Sequence, residues 1–497
     1  MGKFTEKPMN NDKRQIRKIS IALAVGVGLI YLAFLKPGIW GIDGNEMFWM
    51  SNSLVTKGNL SLPPGAGILG RDGLYYSSRY PLISILAAPL VAVGLAFGYL
   101  MNLPTRYSAT LFALLLPLIL TAITTALVFG IALRLGSSEK AAYLAALSFA
   151  FGTTALVYAR EFFAEPVLAL ITAASLYWAL GKDYREHAGT SILAGLAVIA
   201  KPSGIIMGPI LSLYFLGKRY PWRTVVGPLL GMGMGIALYL GYNYLRFESF
   251  WKTGQGTERI QWAGMLERWL GMLFSPGSSG GLFWYCPPTI LALWGFYRLF
   301  KKRPLEALLV IGVLLGYLTM HSLWVFRGWN WGPRFLVPAL PGLLALTALI
   351  PKKRWNILLL LAIVGFLVNA PTLVSYYQRY YAEAADTDRF LNVIALWGNP
   401  LDAPLFNAWP AAFRQLGDAF SHDVRAVINN IGEPAHMGQL AKSDLLQIVA
   451  VWWWVLPAAG IPIWLGFIFA AALVVAGIWI LRWGWREVNA LLGVWER

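Results

Sequence analysis

Apolar stretches long enough to cross a bilayer recur along nearly the whole chain, and short clusters of lysine and arginine separate them. A hydrocarbon core about 30 Å thick asks for roughly 20 apolar residues per helical crossing. The repetition excludes a single anchor on a water-soluble domain and requires a membrane-embedded body. Of the 497 residues, 57% are hydrophobic and only 13% charged, more apolar side chain than a soluble core of this size can hide. The formal charge of +17 is not a nucleic-acid footprint. The basic residues sit between apolar segments, as in Lys301-Lys302-Arg303, Lys352-Lys353-Arg354 and Lys218-Arg219 with Arg223, which is the pattern of cytoplasmic loops under the positive-inside bias. No nucleic-acid partner is expected.

With those clusters as cytoplasmic markers, a topology follows. Lys3, Lys7, Lys13, Arg14, Arg17 and Lys18 precede the apolar run 19–35, and Lys36-Pro37-Gly38 follows it where a small-residue cleavage site would stand. The expectation is an uncleaved first span with its N-terminus inside. Further spans are expected near 108–133, 141–158, 163–180, 224–245, 286–300, 305–323, 335–350, 355–372 and 459–481. A crossing at 81–101 would put the later basic clusters outside, so that stretch is expected to lie along the outer surface.

Between Lys182/Arg185 and Lys218/Arg219 the chain must cross an even number of times within about 28 residues, whereas two full crossings need roughly 40. A pair of short helices broken at Lys201-Pro202-Ser203-Gly204 resolves this, because proline removes a backbone donor and disfavours helix at the residue before it. Broken helices at membrane depth persist only when buried in protein or lining a cavity, which sets Lys201 at the tip, beside a polar site. The expected fold class is an all-α polytopic membrane protein, a bundle of about 12 transmembrane segments, two of them short and broken, with external loops carrying the site.

Three regions are expected outside, 36–107, 246–285 and 373–448, together with the turns 159–162 and 324–334. The chain then divides into a transmembrane module 1–372, a small external region 373–448, and an interfacial and transmembrane helix with a cytoplasmic tail, 449–497. The 23 tryptophans and 22 tyrosines fall largely near span ends, as an interfacial belt requires. Cys286 is the only cysteine, so no intrachain disulfide forms.

Only 24 residues are acidic, which gives weight to those just beyond the spans. Asp43-Gly44-Asn45-Glu46 follows span one. Tyr75-Tyr76-Ser77-Ser78-Arg79-Tyr80-Pro81 leads into the surface stretch. The next outer turn carries Arg160-Glu161-Phe162-Phe163-Ala164-Glu165-Pro166, and the last reads Arg327-Gly328-Trp329-Asn330-Trp331-Gly332-Pro333-Arg334. Each has a bland alternative: Asp43 as a helix cap, Glu165 as a first-turn carboxylate on a helix dipole, Arg327 and Arg334 as snorkelling side chains. Their gathering on one side of the membrane favours a site.

In this order the motifs resemble the GT-C class of polytopic glycosyltransferases, in the branch of protein O-mannosyltransferases and aminoarabinose transferases. The resemblance covers roughly 20–350. It rests on Asp43 to Glu46, Arg79-Tyr80-Pro81, Arg160 to Pro166, and Leu196 to Ser203 with Lys201. It continues through Tyr242-Asn243-Tyr244-Leu245-Arg246-Phe247, Ser275-Pro276-Gly277 and Trp331-Gly332-Pro333-Arg334-Phe335-Leu336-Val337-Pro338. Such enzymes move a sugar from a polyprenyl or dolichyl phosphate to a lipid, glycan or protein acceptor on the outer side. The resemblance implies Asp43 as general base in an inverting transfer, with Lys201, Arg334, Arg79 and Arg327 at the donor phosphate. It implies Glu46, Glu165 and Arg160 near the acceptor or as orienting groups. One carboxylate suffices because the phosphate is already a good leaving group, whereas a glycosidase needs a second carboxyl as acid.

The oligosaccharyltransferase branch carries a soluble C-terminal domain with a Trp-Trp-Asp motif; here Val451-Trp452-Trp453-Trp454-Val455 lacks the aspartate. His187, His321, His422 and His436 are scattered over separate segments, so no required metal and no other cofactor is expected. The rival function is a transporter or glycolipid flippase, since broken helices and buried charges also mark transport paths. Against it stand the absence of an internal repeat and the placing of the polar residues at one face.

Overall fold

The structure, a computed structural model, describes residues 9–255, 260–325, 328–419 and 449–493. After α1 (Met9–Ala33) and α2 (Ile42–Lys57) comes a three-stranded antiparallel sheet of two-residue strands, β1 (Ser61–Leu62), β2 (Ile68–Leu69) and β3 (Tyr75–Tyr76), in the order β1-β3-β2. From there the described chain is helical. The helices are α3 (Pro81–Leu100), α4 (Thr105–Ala113), α5 (Leu115–Arg134), α6 (Glu139–Gly152), α7 (Ala155–Tyr158), α8 (Ala164–Ala179), α9 (Tyr184–Ala200), α10 (Met207–Gly217) and α11 (Trp222–Phe247). Then follow α12 (Met265–Phe274), α13 (Leu282–Tyr285), α14 (Ile290–Lys302), α15 (Pro304–Ser322), α16 (Leu340–Thr347) and α17 (Trp355–Asn369), short helices between residues 371 and 419, and a last helix, Ile463–Gly493.

Seven helices among the described residues are long and apolar enough to cross a membrane, and the shorter apolar helices Ala164–Ala179, Pro202–Gly217 and Arg334–Thr347 pack with them. The chain is an integral membrane protein. Pro81–Leu100, expected along the surface, is one of the seven by length and composition. Its second half lies against α4, Gly94 facing Ala109 and Gly98 facing Thr105.

Helices α9 and α11 approach closely because glycines line the contact. A Cβ on Gly231 would lie 1.7 Å from the Ser191 carbonyl oxygen, and one on Gly235 would lie 2.4 Å from that of Gly195. Small residues four apart are what allow helix backbones to meet in lipid, where apolar burial supplies no net drive.

The bundle has two polar ends. At one, Arg134 pairs with Glu186, Lys218 with Glu306 at 2.6 Å and Arg303 with Glu306 at 2.9 Å, while Arg303 Nη1 donates to the Arg134 carbonyl at 2.8 Å. These residues lie at the basic loops expected from the sequence to be cytoplasmic. At the other end, α9 stops at Ala200, Lys201 is extended (φ −165°, ψ 134°), and a 3-10 turn Pro202–Ile206 reverses the chain into α10. The broken pair that the crossing arithmetic required is therefore present, with Lys201 at its tip.

Candidate active site

The site is built on the segment leaving α1, which is pinned from several directions. Arg160 donates through Nε to the Phe34 carbonyl, through Nη1 to Thr372 at 2.7 Å, and through Nη2 to Leu373 at 3.2 Å and Ala450 at 2.5 Å. Lys36 Nζ pairs with Glu161 Oε1 and stands 4.6 Å from the Tyr376 ring centroid. Tyr376 OH donates to the Gly38 carbonyl at 3.2 Å, and the Trp452 amide donates to the Leu35 carbonyl at 2.7 Å. This clamp fixes where α2 begins, and α2 carries Asp43 in its first turn after Gly41 at φ +101°, with no side-chain cap.

Asp43 is not a helix cap but the meeting point of two arginines. Its Oδ1 lies 2.7 Å from Arg79 Nη2, and its Oδ2 accepts from Arg334 Nη1 at 3.1 Å. Arg334 turns its Nε to Glu165 Oε1 at 3.0 Å, and the same oxygen accepts from Lys201 Nζ at 2.8 Å. Glu46, one helical turn beyond Asp43, accepts from Ser77 Oγ at 2.5 Å and lies 3.8 Å from Arg79 Nε. Phe163 and Phe335 cover the cations, with Arg334 Cζ 3.7 Å from the first ring centroid and Lys201 Nζ 4.2 Å from the second.

The remaining motifs hold these groups in place. Trp331 Nε1 donates to Asn369 Oδ1 at 2.7 Å, Tyr158 OH donates to the Trp331 carbonyl at 2.8 Å, and Arg334 Nη1 reaches Asn330 Oδ1 at 3.3 Å. Gly332 has φ +55°, and a Cβ there would strike the Tyr285 ring at 2.6 Å, so the Trp-Gly-Pro-Arg turn requires glycine. Arg246 donates to the Ser77 carbonyl and, at 2.6 Å, to Asn243 Oδ1, which steadies the loop bearing Ser77 and Arg79.

The structure thus brings together Asp43, Glu46, Arg79, Glu165, Lys201 and Arg334. It does not bring Arg160 to them. That guanidinium is fully buried and its donors are occupied by four backbone carbonyls, so the expected acceptor or orienting role is replaced by a clamp on α1. Arg327 lies outside the described residues. His321, which its place in an apolar helix hid, is buried against Phe335 with ring centroids 4.7 Å apart.

Three carboxylates face three cations here, and their surroundings push two of the acids apart. Burial raises the Asp43 carboxyl, but the guanidiniums of Arg79 and Arg334 outweigh it and the net direction is down. Burial dominates at Glu46 and raises its carboxyl above the ordinary 4.5, against Arg79 and the Ser77 hydroxyl. Such a balanced, partly desolvated cluster suits an anion whose oxygens draw the cations away from their carboxylates.

No family model and no curated protein matches the sequence. Among solved structures, the fold is similar to that of ArnT from Cupriavidus metallidurans in the apo state, with a TM-score of 0.50 at 15% identity over 95% of this chain and 78% of that one. ArnT from the same organism bound to undecaprenyl phosphate gives 0.48 at 16% identity over 92% and 76%. The apo oligosaccharyltransferase of Archaeoglobus fulgidus gives 0.47 at 13% identity over 82% and 65%. The chain has the fold of the GT-C glycosyltransferases, the class its ordered motifs resemble.

Proposed function

We propose that this protein is a membrane glycosyltransferase that takes a sugar from a polyprenyl phosphate and passes it to an acceptor on the outer side of the membrane. The observation that carries this reading is the convergence of Asp43, Arg79, Glu165, Lys201 and Arg334 from distant parts of the chain at one end of the bundle. Lys201 and Arg334 bind the donor phosphate, with Arg79 beside them. The acceptor hydroxyl oxygen attacks the anomeric carbon from the face opposite the phosphate. The bond from that carbon to the phosphate oxygen breaks, the hydroxyl proton passes to Asp43, and polyprenyl phosphate leaves with inverted configuration at the sugar.

With both oxygens paired to guanidiniums, Asp43 is a poor base. A bound phosphate competes for the same guanidinium donors, relaxes one or both pairs and lifts the carboxyl toward the range where it accepts a proton. The base is then ready only when the donor is seated. Glu165 keeps Lys201 and Arg334 poised at the phosphate seat in a site shielded from water, where fixed charges act strongly on developing charge.

The test is release of polyprenyl phosphate by the purified protein in nanodiscs, from donors charged with a hexose, a pentose or an amino sugar. Release that depends on an added acceptor extract supports the reading. No release from any donor, with the protein folded, counts against it.

A further inference from the structure

His321 ends α15 beside the phosphate seat. Its ring is 8% exposed, stacks on Phe335 with an interplanar angle of 21°, and its Nε2 has no hydrogen-bond partner. Phe335 is also the ring under Lys201 Nζ at 4.2 Å, and its centroid lies 5.6 Å from Arg334 Cζ. One ring therefore stacks on the imidazole and lies near both cations. Buried polar atoms are nearly always paired, and an orphan asks for an explanation. This one has company: Glu165 Oε2 and Ser203 Oγ also lack hydrogen-bond partners, so unspent hydrogen-bonding capacity gathers around Lys201.

A neutral imidazole has one N–H to give. A partner that accepts from Nε2–H while offsetting Lys201 and Arg334 is an anion with several oxygens on one centre. Resting on the glycosyl-transfer reading, we propose that His321 is a further donor-binding residue, whose Nε2–H donates to a non-bridging phosphate oxygen of the polyprenyl phosphate alongside Lys201 and Arg334.

The experiment measures undecaprenyl phosphate binding to the full chain in nanodiscs. His321→Ala should bind about tenfold more weakly, the usual scale for one hydrogen bond to a charged group. His321→Phe, which keeps the stack on Phe335 and loses the donor, should be as weak. His321→Gln places an amide nitrogen near the Nε2 position and should recover most of the affinity, while His321→Asn, which imitates Nδ1, should not. A role in packing alone reverses that order, with His321→Phe closest to wild type. His321→Phe at wild-type affinity, or His321→Gln no better than His321→Phe, overturns the proposal. Lys201→Ala separates the two levels: Lys201-dependent binding that ignores His321 overturns this inference alone, whereas a wild type that does not take the lipid phosphate overturns the glycosyl-transfer reading with it.

Discussion

Arg334 gives its Nη1 to Asp43 Oδ2 at 3.1 Å while its Nε faces Glu165 at 3.0 Å, so one guanidinium ties the carboxylate assigned as base to the carboxylate that holds Lys201. An anion that draws Arg334 Nη1 to itself therefore loosens Asp43. In the proposed mechanism, donor binding and activation of the base then share one guanidinium.

Asp43→Asn should stop sugar transfer while donor binding persists. The amide keeps the shape and cannot take the acceptor's proton, and general base catalysis is typically worth about 10²–10⁴ in rate. Single-turnover transfer and donor binding, measured on one preparation, separate the two effects. Near-normal turnover in a folded Asp43→Asn protein would remove Asp43 from catalysis and leave Glu46, the neighbouring carboxylate with the raised pKa, as the next group to test.

Glu165 allows function to be separated from folding. Its side chain is 1% exposed and that of Lys201 9%. Glu165→Leu leaves Lys201 buried beside Arg334 without its carboxylate, and breaking such a pair typically costs about 3–5 kcal/mol. Adding Lys201→Met removes one stranded charge and should restore much of the thermal stability. Transfer should stay absent in both proteins. Recovery of transfer along with stability would show that the pair serves packing only.

The broken helix, the cation at its tip and the acidic turn after α1 were legible because each follows from span length, proline chemistry and charge counted along the chain. Arg160 was not. Its four acceptors lie at residues 34, 372, 373 and 450, and only the folded backbone shows that they converge. Asp43 and Glu165 looked like helix-end carboxylates, and linear reading could not reveal that one arginine joins them. His321 was hidden for the opposite reason, since a lone histidine in an apolar helix usually reads as core. The sheet of two-residue strands falls below the length at which alternation becomes visible.

The two shifted acids predict opposite pH responses in stability. The folded state holds the Glu46 proton to higher pH than the unfolded chain does, so the stability it brings is full below pH 4.5 and lost as pH rises through the raised value. Asp43 is shifted down, so its contribution is full above pH 3.8 and lost as pH falls through the lowered value. Glu46→Gln should flatten the decline of melting temperature above pH 4.5, and Asp43→Asn should flatten the acid-side loss below 3.8. Identical melting profiles for wild type and Glu46→Gln between pH 4 and 7 would mean that Glu46 titrates normally.

Sidedness is testable at single positions because the only cysteine, Cys286, is buried. The outer-face reading requires the end with Asp43 and Lys201 to face away from the cytoplasm, and the region 373–448, of which 420–448 lie outside the described residues, to lie on that same side. Asp388 and Lys302 are both exposed. Lys302 belongs to the basic Lys301-Lys302-Arg303 cluster beside the Arg303–Glu306 pair, at the opposite end from Lys201. In sealed cells, Asp388→Cys should react with a membrane-impermeant maleimide, and Lys302→Cys should react only after the membrane is opened. The opposite pattern would place the site on the cytoplasmic side, where a donor sugar could come directly from a soluble nucleotide, and the outer-face transfer would fall. Protection of both positions in sealed cells, with labelling after detergent, would also sink it, because the 373–448 region would then not be outside.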